Sequence, residues 1–106
     1  MYTKAKLKEQ LTALIEPDNA VHLEMVKRYI NLVTYFYELD KAIKKEGVMV
    51  ETVNASQTFL KANPALAEKT KINAQLIKLI QWFDKRAEML AAKTGEEKEF
   101  NKDDFL

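Results

Sequence analysis

Few residues in this chain could do covalent or metal chemistry. His22 is the only histidine and Ser56 the only serine, and they lie far apart in sequence, so no serine triad is supported. Cysteine is absent, which removes thiolate metal sites, disulfides and a cysteine nucleophile together. The acids Glu96, Glu97, Glu99, Asp103 and Asp104 lack the spacing of a calcium loop and read as a solvated acidic run. Gly47 and Gly95 stand alone, whereas a loop that cradles phosphate needs clustered glycines so that backbone N–H groups can approach the ligand. Glu38 and Asp40 remain as a nominal acid and base, but carboxylates this close on a helix surface are usually just solvated. His22 falls between two apolar ladders, the place of a capped or interface histidine. The expectation is a protein that is not an enzyme and takes no cofactor and no metal.

Such a chain acts through its surfaces, so the elements that shape them come next. With 47% hydrophobic and 31% charged residues the composition is globular, and 106 residues fit one domain. Two glycines and two prolines leave few turning points, which predicts long helices. The longest stretches free of Asp, Glu, Lys and Arg, residues 29–37 and 52–60, are far shorter than the roughly 20 residues of a membrane span. Lysines follow Met1 where a secretory signal would be apolar, so no signal peptide and no membrane partner are expected. Residues 1–93 carry 15 basic and 11 acidic side chains and residues 94–106 carry 2 and 5, giving a mildly basic body and an acidic tail.

Leu7, Leu11, Leu14 and Ile15 make the stripe of a short amphipathic helix over residues 4–15. Glu16, Pro17, Asp18 and Asn19 end it, and Asp18 or Asn19 can cap a second helix that runs to about Glu46 and stops at Gly47. Around that helix Val21, Met25, Tyr29, Leu32, Phe36, Leu39 and Ile43 form one ladder, and Leu23, Val26, Ile30, Val33 and Tyr37 form another beside it. Together they cover an arc of roughly 200°, about double what one core requires. A short first helix covers only part of it, so Leu23, Val26, Ile30, Val33 and Tyr37 are expected to face another subunit.

After Gly47 the period changes. Val48, Val50, Thr52 and Val53 suggest a strand, Asn54, Ala55 and Ser56 a turn, and Thr58, Phe59 and Leu60 a return strand, a hairpin at about 48–61. Asn63 and Pro64 then open a third helix over residues 64–93, with Leu66, Ile72, Leu76, Ile77, Leu79, Ile80, Phe83, Ala87 and Leu90 on its apolar arc. Trp82 and Met89 lie off that arc. Thr94 and Gly95 are expected to end the helix, leaving residues 96–106 as a flexible acidic tail beside a single domain of residues 1–95. The fold class expected is mainly α: two long antiparallel helices, a short N-terminal helix and a small β-hairpin between the long helices.

The run Tyr37, Glu38, Leu39, Asp40, Lys41, Ala42, Ile43, Lys44, Lys45, Glu46, Gly47, Val48, Met49, Val50, continued by Asn63, Pro64, Ala65 and Leu66, resembles the small-subunit family of phage DNA-packaging terminases. The likeness covers residues 29–83 and lies in the order of a long helix, a charged stretch with a glycine stop, a valine-rich extended piece and an Asn-Pro helix start. At Trp82, Phe83, Asp84, Lys85 and Arg86 the chain stays helical where relatives often turn.

The resemblance implies a ring-like homo-oligomer in the host cytoplasm that binds double-stranded viral DNA and regulates a large subunit carrying the ATPase and nuclease. DNA contact would then fall to Lys41, Lys44, Lys45, Lys61, Lys69 and Lys71, the lysines outside the apolar arcs. It would be made mostly to phosphates, because no helix-turn-helix reader is present. Phe100, Phe105 and Leu106, set among acids, would dock the large subunit. Two other classes stay open: a helical phage structural or adaptor protein that ignores DNA, and a small dimeric DNA-binding regulator.

Overall fold

The computed structural model describes the backbone of residues 2–103 and the side chains of residues 2–94. Along the chain the elements are α1 (Lys4–Thr12), α2 (Ala20–Glu46), β1 (Met49–Asn54), β2 (Gln57–Ala62) and α3 (Pro64–Asp103). The protein is mainly helical, with one two-stranded antiparallel sheet between its long helices, as the residue pattern predicts.

Each helix boundary has a local cause. The Thr3 hydroxyl accepts from the Lys6 N–H at 3.1 Å and caps α1. Asn19 Oδ1 accepts from the N–H groups of Val21 and His22 at 3.0 and 3.2 Å, which makes Asn19, one of the two expected residues, the cap of α2. At the far end the Gly47 N–H donates to the Ile43 carbonyl at 2.7 Å, and Gly47 takes φ +92°, a conformation that favours glycine and turns the chain out of the helix. The α3 backbone runs through Gly95 to Asp103, correcting the stop expected at Thr94 and Gly95. One glycine costs a helix only about 1 kcal/mol, and no proline follows it to force an end.

The chain divides into two compact units. The first draws on residues 1–27 and 78–106, hence α1, the start of α2 and the later part of α3. Its buried apolar residues are Leu11, Ile15, Val26 and Phe83, the last only 1% exposed. Arg86 reaches back in sequence, its Nε donating to the Leu14 carbonyl at 3.0 Å. The Glu16 N–H donates to His22 Nδ1 at 3.1 Å, and the His22 ring stands edge-on to Trp82 at 5.0 Å. His22 is therefore a capped histidine that closes the connection between α1 and α2, and Trp82 is partly occupied within the chain.

The second unit, residues 28–77, holds the rest of α2, the hairpin and the start of α3. Its buried residues are Val33, Ile43, Leu76 and Asn63. Strand register runs from Met49↔Ala62 to Asn54↔Gln57 without a bulge, which leaves Ala55 and Ser56 as a two-residue loop. Ala55 sits at φ +58°, a left-handed conformation that a Cβ makes unfavourable.

On α2, Val26 and Val33 are already covered within the single chain. They are 3% and 8% exposed, so the middle of the second ladder is core of the single chain. Ile30 is half-buried, and only Leu23 and Tyr37, at 43% and 49%, remain exposed of the five. The two ladders adjoin on one broad arc, and chain elements cover parts of both.

Candidate nucleic-acid interface

The six lysines expected to meet DNA separate according to their neighbours. Phe36, Asp40 and Lys44 are spaced four apart on α2 and therefore share one face. Lys69, from the second turn of α3, enters this row: its Nζ donates to Asp40 Oδ1 at 2.7 Å and stands 4.8 Å from the centroid of the Phe36 ring. Lys44 Nζ meets the other carboxylate oxygen of Asp40 at 3.0 Å. The Asp40 carboxyl is held below its ordinary value of 3.8, first by the hydrogen bond from Lys69 and then by the one from Lys44. Asp40 is thus a structural anion between two cations, and its role as a candidate acid or base lapses.

Lys69, with only 28% of its side chain exposed, is largely withdrawn from solvent and neutralised. Lys71 Nζ lies 3.4 Å from Glu68 and stays 69% exposed, a loose surface pair of small energetic weight. Lys44 is 76% exposed and shares Asp40 with Lys69. Lys41, Lys45 and Lys61 are exposed and have no ion-pair partner among the described residues. Lys41 and Lys45 are four apart and share a face near the C-terminal end of α2; Lys61 lies on β2 opposite Val50. These three are the cations best able to exchange counterions for phosphate.

Asn63 organises the backbone between the two helices. It is 4% exposed, and its Oδ1 accepts from the Ala65 N–H at 3.0 Å while its Nδ2 donates to the Gly47 carbonyl at 2.9 Å. Its own N–H donates to the Val48 carbonyl at 2.8 Å. Sequence reading finds the cap through the Asn-Pro pair, but the tie to Gly47 spans 16 residues and leaves no local signal. The same holds for the pairing of Asp40 with Lys69.

Phe100 lies on the helical backbone of α3, its side chain outside the described residues, and Phe105 and Leu106 lie outside them altogether. Among the described residues no group of three or more His, Cys, Asp and Glu could hold a metal ion. No helix among them is long and apolar enough to cross a membrane.

Neither a curated protein nor a solved structure matches the chain. The sequence profile described as phage terminase, small subunit, matches residues 7–84, which take in α1 from Leu7, all of α2, the hairpin and α3 as far as Asp84, well over half of the chain. The chain therefore belongs to the phage terminase small-subunit family.

Proposed function

We propose that this protein is a non-catalytic DNA-packaging subunit without a cofactor of its own that assembles with copies of itself into a ring in the host cytoplasm, binds double-stranded viral DNA and regulates the large terminase subunit. The family match carries the packaging role. The cations left unpaired at Lys41, Lys45 and Lys61 support the DNA contact, with Lys44 beside them and Lys69 and Lys71 drawn into ion pairs. Contacts from such lysines go to phosphates, so selectivity for sequence per subunit is low and repetition around an oligomer supplies the affinity. Leu23 and Tyr37, the exposed ends of the second α2 ladder, contribute to self-association. Phe100, Phe105 and Leu106 dock the large subunit.

Fluorescence anisotropy with a labelled duplex tests the DNA reading. If about six phosphates are engaged across the assembly, affinity falls on the order of 10³-fold between 50 and 200 mM salt. Changing Lys41, Lys45 and Lys61 together to Ala should abolish binding, and Lys69→Ala should affect stability first. Binding that ignores salt, or that survives the triple change, refutes the assignment and favours an assembly-only subunit.

A further inference from the structure

The β1–β2 ribbon is built without the devices that keep a sheet edge solitary. Among the described residues it has two strands only, so each strand has an outer edge with no neighbour there. The Asn54↔Gln57 pair closes a two-residue loop, and hydrogen-bonded pairs alternate along an antiparallel ladder. The bond from the Asn63 N–H to the Val48 carbonyl fits the same alternation. The main-chain groups of Met49, Glu51 and Val53 on β1, and of Thr58, Leu60 and Ala62 on β2, therefore point outward along the two edges.

Natural edges are usually blunted by proline, bulges or clustered charge. Neither strand contains a proline, the register has no bulge, and the ribbon carries one acid, Glu51, and one base, Lys61. The residues with outward main chains also share one face. On it Met49, Val53 and Leu60 are 49%, 72% and 68% exposed. An isolated two-stranded hairpin is marginal in water, and this one adds an uncovered apolar face.

We infer that the two edges of this ribbon pair head to tail with the edges of neighbouring copies of the chain, β2 of one copy against β1 of the next. Two opposite edges are open on every copy. A single strand from another protein covers one of them, and a two-fold self-pairing also leaves one bare; a head-to-tail contact uses both through one repeated interface. The ribbon's one acid and one base leave its net charge at zero, so copies do not repel. This inference deepens the self-assembly proposed above and rests on it.

Proline substitution at outward positions tests it without removing a bond inside the hairpin. Glu51→Pro blocks the β1 edge and Thr58→Pro blocks the β2 edge. Native mass spectrometry of the full chain, with one variant labelled with ¹⁵N, reads the result. The expected outcome is that wild type assembles, each variant alone is monomeric with helical circular dichroism retained, and a mixture forms a one-to-one heterodimer and nothing larger. That rescue also shows that each variant keeps an intact opposite edge. Variants that assemble like wild type, or monomers that fail to pair when mixed, overturn the edge pairing while leaving self-assembly standing. A monomeric wild type overturns both.

Discussion

Replacing Asn63 by Ala removes the side chain that joins the end of α2 to the start of α3, and the size of the effect follows from its hydrogen bonds. Loss of a helix N-cap costs about 0.5–2 kcal/mol. The second bond, from Nδ2 to the Gly47 carbonyl at 2.9 Å, is worth about 0.5–1.5 kcal/mol net, and more if its loss leaves a carbonyl without water. Because Asn63 is 4% exposed, solvent does not readily replace either partner. The sum is about 1–3.5 kcal/mol, or roughly 4–20 °C in Tm for a domain of this size. Asn63→Asp separates the two parts: it keeps an acceptor for the Ala65 N–H, and an anion suits a helix N-terminus, but it has no donor for Gly47. Chemical denaturation of wild type, Asn63→Asp and Asn63→Ala should rank stability in that order. A loss below about 1 kcal/mol for Asn63→Ala, or an Asp variant no better than Ala, refutes the reasoning.

Acid should weaken the contact between Asp40 and Lys69. The carboxyl is depressed below 3.8 in the folded protein, so the stability it adds is fully present above that value and is lost as pH falls through the lowered one. The Tm gap between wild type and Asp40→Asn should be wide at pH 6 and narrow as the pH is taken well below 3.8; an equal gap at both ends contradicts the ion-pair role. Ala55→Gly should raise stability by up to about 1 kcal/mol by relieving the positive φ at the hairpin loop, and a fall in thermal melts would show that the loop is not strained. Val33→Asp should destabilise the monomer by on the order of 4 kcal/mol because it buries a charge, whereas Leu23→Asp with Tyr37→Asp should change thermal stability by less than about 1 kcal/mol and reduce assembly measured by light scattering. A double variant that assembles as wild type removes those two residues from the interface.

Much of the fold is legible because its punctuation is local. Asn19, Gly47, Asn63 and Pro64 mark helix ends by capping and backbone preference within a few residues, and all four mark the observed boundaries. The spacing of Asp40 and Lys44 likewise allows their pairing to be read from one helix. Two things are not legible. Periodicity shows that an α2 residue is apolar but not which element covers it, and so it places Val26 and Val33 toward another subunit without showing that the single chain already buries them. Charge composition shows lysines but not the tertiary carboxylate that neutralises one of them, and so Lys69 reads like Lys41 although Asp40 and Phe36 hold it. At Gly95 local preference misleads, because a single glycine among good helix formers need not end a helix.

The bonds from Asn63 to Gly47 and Val48 fasten together the two points where the hairpin leaves and re-enters the helices. A segment whose ends are pinned side by side behaves as a cassette. Its length can change at low entropic penalty, because the penalty for closing a loop grows only with the logarithm of its length and the closure is already made at its base. The stretch between Gly47 and Asn63 can then be lengthened, shortened or rewritten while the helical ends on either side stay fastened. The same position is a natural graft point: an epitope or a small reporter joined between Ala55 and Ser56 would be carried at the tip, far along the ribbon from the clasp that secures it.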